Sequence, residues 1–80
     1  MKVFSPDRIT ALREFHRLSP SAFAKKIGKT RQHVYNWEHR KDIPETDTLL
    51  KIAHAFNLSL DYFFIENEQQ KSIQKKKGVA

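Results

Sequence analysis

Apolar residues recur along this chain three or four positions apart, the spacing of one helix face, and short polar clusters divide them into five runs. Ser5-Pro6-Asp7 supplies a cap, a proline for the first helical position and an acid for the first turn, ahead of a stripe of Ile9, Leu12, Phe15 and Leu18. Ser19-Pro20 repeats that start signal. The first helix is therefore expected to end near Leu18 and a second to run from Pro20 to about Ile27, with Phe23, Ala24 and Ile27 inward. Gly28 follows, where glycine can take the left-handed conformation that stops a helix. Thr30 caps a third helix whose core side is Val34 and Trp37 and which cannot pass Pro44. After a polar loop from His39 to Glu45, Thr46 opens a fourth helix carrying Leu49, Leu50, Ile52, Ala53 and Phe56, with Asn57 as a left-handed stop. Ser59 opens a short fifth helix through Leu60, Tyr62, Phe63 and Phe64. No segment alternates as a strand would, and no repeat is present. The expectation is an all-α domain over residues 1–66, five helices around one core, with a flexible basic tail over residues 67–80.

Composition narrows the chemistry. Hydrophobic residues make up 39% and charged residues 30% of the 80, which suits a folded domain. With no cysteine there is no disulfide framework, Cys zinc site or thiol chemistry, and a reducing cytoplasmic setting is expected. No stretch reaches the roughly 18 apolar residues of a membrane span. Fifteen Lys and Arg against nine acids leave a net charge of +6, unevenly spread. Residues 1–41 hold ten of the basic residues and three acids, residues 42–68 hold six acids against Lys51, and residues 69–80 add four lysines. The first half is thus suited to meet a polyanion, although lysines that merely solvate helix faces would look the same.

The segment Pro20 to His39 is a helix, a turn containing Gly28 and a second helix, the arrangement in which the second helix enters the DNA major groove. Val34, Trp37 and Glu38 project to one side of that helix and Arg31, Gln32, Tyr35, Asn36 and His39 to the other. Gln and Asn pair bidentately with adenine and Arg with guanine, so the outward face is equipped to read base edges. His16, His33, His39 and His54 come from separate elements without a His-x-x-x-His pair, and solvated side chains are expected in place of metal ligands. His33 could also reach DNA. No nucleophile elbow or phosphate loop is present, so neither catalysis nor a cofactor is expected. The aromatics Phe15, Phe23, Trp37, Phe56 and Phe63 fit the core stripes. A short last helix cannot turn all of its apolar residues inward, and Tyr62, Phe64 and Ile65 are candidates for contact between two copies. Lys75-Lys76-Lys77 either attracts phosphate without specificity or is inert.

Leu18 to Gly28, then Val34-Tyr35-Asn36-Trp37-Glu38, Pro44 and Leu49 to Asp61 together resemble the Cro/repressor (XRE-type) helix-turn-helix family over about residues 5–66. The resemblance implies a lambda-repressor-like domain that binds double-stranded DNA as a transcriptional regulator, most simply a prophage-type repressor acting as a homodimer on a two-fold operator. It implies base reading by Arg31, Gln32 and Asn36, and phosphate or supporting contacts from Ser19, Ser21, Thr30, His33, Tyr35, His39, Arg40 and Lys41. It also implies a buried ion pair between Arg13 and Glu38; Glu38 falls on the core side, where an unpaired carboxylate would be costly. Two positions depart from the family pattern. Pro20 stands where a phosphate-contacting glutamine is common, and Arg40 where a glycine usually follows the third helix. The alternative is an antitoxin, which would bind a partner protein, a toxin, and use DNA binding for autoregulation.

Overall fold

A computed structural model describes residues 1–66, so the tail and its lysine run lie outside the described residues. Four α-helices follow one another: α1 (Pro6–Phe15), α2 (Pro20–Lys26), α3 (Arg31–Glu38) and α4 (Thr46–Ala55). The expected fifth helix is one 3-10 turn, Leu60–Phe63. The class is all-α as expected, with one unexpected addition. Lys2–Phe4 (β1) and Phe64–Glu66 (β2) form an antiparallel pair in the register Lys2 opposite Glu66, Val3 opposite Ile65 and Phe4 opposite Phe64. Ser5 N–H continues the ladder by donating to Phe63 O at 2.8 Å.

Side-chain caps mark the starts of α2 and α3, whereas Ser5, at the N-cap of α1, makes no side-chain capping bond. Ser19 Oγ accepts from Ala22 N–H, and Thr30 Oγ1 accepts from His33 N–H. Pro6 and Pro20 occupy first-turn positions, where a missing N–H costs no helical bond. For α4 the cap is Glu45, one residue before the expected Thr46, and its side chain makes no capping bond.

All four helices end in the same way. The residue after the C-cap has positive φ: Arg17 at 56°, Gly28 at 71°, Arg40 at 61° and Asn57 at 58°. In each case the next N–H reaches back to the carbonyl five residues earlier: Leu18 to Arg13, Lys29 to Ala24, Lys41 to Asn36 and Leu58 to Ala53, at 2.8 to 3.0 Å. This is the Schellman arrangement, which satisfies carbonyls that a helix end would leave unpaired. Only one of the four positions is the glycine that adopts this conformation without cost. Arg40 therefore keeps the turn geometry that a glycine would give.

The core gathers Ile9 and Leu12 from α1, Phe23, Ala24 and Ile27 from the α2 region, Val34 and Trp37 from α3, Leu49, Ile52 and Ala53 from α4, and Phe63. Two expectations are corrected. Phe15 is 80% exposed, because α1 ends there and the left-handed Arg17 turns the chain so that Leu18 packs against the core instead. Its ring meets His16 edge-on at 5.1 Å, and His16 in turn lies 4.8 Å from Phe56. Leu50, on the outer side of α4, is about half exposed.

Candidate nucleic-acid interface

The interface is built on α3, whose inner side is fixed by two buried anchors. Val34 is fully buried and Trp37 nearly so, which sets the rotation of the helix about its axis. Arg31, Gln32, His33 and Tyr35 are consequently exposed, and Asn36 is half-buried. Below α3, Arg13 and Glu38 form a two-point ion pair, Nε to Oε2 at 2.8 Å and Nη2 to Oε1 at 3.1 Å. Only 15% of the Arg13 side chain and 9% of the Glu38 side chain remain exposed. The third guanidinium nitrogen, Nη1, donates to Leu18 O at 3.0 Å, so the same group ties α1 to α3 and to the start of the link into α2. The hydrogen bond to Glu38 raises the Arg13 pKa above its already high value, and burial opposes this more weakly.

At the start of α3, Thr30 and His33 bond each other reciprocally. Thr30 N–H donates to His33 Nδ1 at 3.2 Å, and Thr30 Oγ1 lies 2.8 Å from the same nitrogen. An Nδ1 that accepts from a main-chain N–H carries no proton, so the neutral ring holds its proton on Nε2. The box that Glu or Gln usually completes is closed here by a histidine. This turns the His33 ring back towards the cap, with Trp37 beyond it at 6.1 Å between ring centroids.

The opposite end of α3 carries an aromatic and basic group. The Tyr35 and His39 rings stack at 4.0 Å and 21°, and the Lys41 ammonium stands 5.7 Å from the Tyr35 centroid. His39 Nδ1 lies 2.9 Å from Tyr35 O. A carbonyl can only accept, so this contact is a hydrogen bond when the ring carries a proton on Nδ1. Arg40 is exposed and stands 3.7 Å from Asp7, also exposed. Between the two ends, Gln32 Nε2 donates to Asn36 Oδ1 at 3.0 Å. This side-chain bond joins two of the candidate base readers, and nothing in the sequence reading anticipated it, although the four-residue spacing permits it.

The other expected residues fall in two places. Ser19 and Ser21 sit at the exposed start of α2, with Ser19 Oγ engaged in its own cap. Tyr62, Phe64 and Ile65 are not brought to α3. Tyr62 and Phe64 pack partly against the core, Tyr62 beneath the Arg8 guanidinium at 5.2 Å and Phe64 edge-on to Phe4 at 6.4 Å, while Ile65 faces Val3 across the strand pair. Among the described residues no group of three or more His, Cys, Asp or Glu could hold a metal ion, and no helix is long and apolar enough to cross a membrane.

Comparison with solved structures finds the P22 c2 repressor protein in complex with a synthetic operator, at a TM-score of 0.67 and 28% identity, covering 72% of this chain and 88% of that one. CoII HppE in complex with substrate is similar at a TM-score of 0.65 and 23% identity; the match covers 75% of this chain but 34% of that one, and the likeness is one of fold alone. No curated protein matches. A profile of the helix-turn-helix family matches residues 9–63, a span that takes in most of α1, the whole of α2, α3 and α4, the buried anchors of α3 and the turn around Gly28. With that match over most of its length, the chain belongs to the XRE-type helix-turn-helix family of DNA-binding transcription regulators.

Proposed function

We propose that this chain is a repressor that binds a two-fold operator in double-stranded DNA as a homodimer, with α3 in the major groove. One observation carries the reading: Val34 and Trp37 are buried while Arg31, Gln32 and Tyr35 on the same helix are exposed, in a fold shared with a repressor that is solved on operator DNA. Arg31, Gln32 and Asn36 are the residues assigned to base edges. Main-chain N–H groups and hydroxyls at the start of α2, together with His39, Arg40 and Lys41 beyond α3, are assigned to phosphates, which fix register without reading sequence. Two copies would set their recognition helices about 10 base pairs, or a multiple of that, apart. The contact between copies is assigned to the side of the domain bearing Tyr62, Phe64 and Ile65.

Selection of bound sequences from a random duplex pool, followed by affinity measurement at two salt concentrations, tests this directly. The expected winner is palindromic and preferred to a scrambled duplex by about 10³-fold or more. Equal binding of winner and scrambled duplex with the same steep salt slope would refute sequence-specific recognition. Light scattering that finds only monomer, both free at high concentration and on the selected duplex, would refute the dimer.

A further inference from the structure

Gln32 and Asn36 stand one turn apart on α3, Gln32 exposed and Asn36 half-buried beside it. The 3.0 Å bond from Gln32 Nε2 to Asn36 Oδ1 is the one side-chain hydrogen bond Gln32 makes among the described residues. What each amide retains differs. Gln32 keeps one N–H and both lone pairs of Oε1, a donor beside an acceptor on one planar group, which complements N7 and the N6 amino group of adenine. Asn36 has one lone pair of its side-chain oxygen engaged by Gln32 and keeps its Nδ2 donors, so the pair is told apart by placement: Gln32 stands exposed and Asn36 is half-buried. Its main-chain oxygen is engaged too, by Lys41 N–H at 2.8 Å and Asp42 N–H at 3.2 Å, which holds the residue in the turn closing α3. The firmly seated residue is therefore Asn36, and the one it steadies is Gln32.

A free glutamine must give up rotamer freedom when it docks on a base. A bond formed before DNA arrives removes part of that loss and selects one face of the amide for presentation. We propose that Gln32 alone of the pair reads a base, an adenine, and that Asn36 is a positioning residue that holds the Gln32 amide in its reading orientation. This rests on the duplex-DNA reading above and sharpens it, because Asn36 is otherwise assigned to a base pair of its own.

The test begins with the wild-type protein and its selected duplex. Affinities are then measured for Gln32→Ala, Asn36→Ala, the double variant and Asn36→Asp against that duplex and against every single base-pair change in one half-site. Circular dichroism and thermal melting check that each variant folds. The wild type should prefer adenine at one position by roughly 5- to 150-fold. Gln32→Ala should abolish that preference, Asn36→Ala should weaken it several-fold at the same position, and the double variant should lose no more than Gln32→Ala does. In Asn36→Asp the carboxylate can still accept from Gln32, so the preference should survive while the added negative charge weakens all duplexes alike. Relaxation at a different base pair in Asn36→Ala, additive losses in the double variant, or no change in preference on removing Asn36 would each overturn the proposal. A wild-type protein with no preferred duplex would remove the DNA reading itself and this proposal with it, an outcome visible before any variant is made.

Discussion

Glu38→Ala should be among the most destabilising single changes in the domain. The substitution removes both carboxylate partners of Arg13, leaving Nε and Nη2 without acceptors in a site where only 15% of the arginine side chain meets solvent. Losing one member of a fully buried pair costs about 3 to 5 kcal/mol, and the residual exposure here lets water reach part of the stranded guanidinium, which lowers the expectation to about 2 to 4 kcal/mol. For a domain of this size each kcal/mol corresponds to roughly 4 to 8 °C, so the melting temperature should fall by about 8 to 30 °C. Urea unfolding followed by circular dichroism gives the free energy directly, and a cycle with Arg13→Met isolates the pair from the rest of each side chain. The double variant Arg13→Met with Glu38→Leu should recover most of the loss, since apolar replacements leave no charge to compensate. A Glu38→Ala protein within about 0.5 kcal/mol of wild type would show that water already satisfies Arg13, and the reasoning from burial would fail.

Two further predictions separate stability from recognition. Arg40→Gly relieves a left-handed φ of 61° and should stabilise the fold by up to about 1 kcal/mol, while removing a phosphate contact should reduce the salt slope of DNA affinity by about 0.9; a melt and a salt titration on the same preparation would expose the argument if both moved down together. Thr30→Ala removes the hydroxyl from the cap of α3 and should cost about 1 kcal/mol by urea unfolding, against no measurable change if the cap is idle.

How much of this could be read from the residues depends on how local each signal is. The starts of α2 and α3 were legible because Ser19-Pro20 and Thr30 act within one turn of themselves, and the stops at Gly28 and Asn57 because those residue types tolerate positive φ. Arg17 and Arg40 take the same conformation against their own preference, so residue type gave no sign of it. The strand pair was hidden for a different reason. Three residues at either end are too few to show alternation, and Lys2 meets Glu66 only after the whole domain has folded between them. Phe15 was misplaced because its spacing continues the stripe of Ile9 and Leu12 for one turn more than the helix does. At the interface, the exposed side of α3 followed from Val34 and Trp37, whereas the bond between Gln32 and Asn36 depends on side-chain torsions that spacing permits without requiring.

The pairing of β1 with β2 also decides how the domain bears a pull. Because the strands run antiparallel with Lys2 opposite Glu66, both ends of the folded unit leave from the same end of the ladder, with the Met1 amine 3.3 Å from Glu66 Oε1. Tension applied through the two ends would meet these bonds one after another instead of all at once, as a zip is drawn. Resistance to stretching would then begin at the next contact inward, where Ser5 N–H holds Phe63 O. A load could therefore peel the outer ladder open before it reached α3.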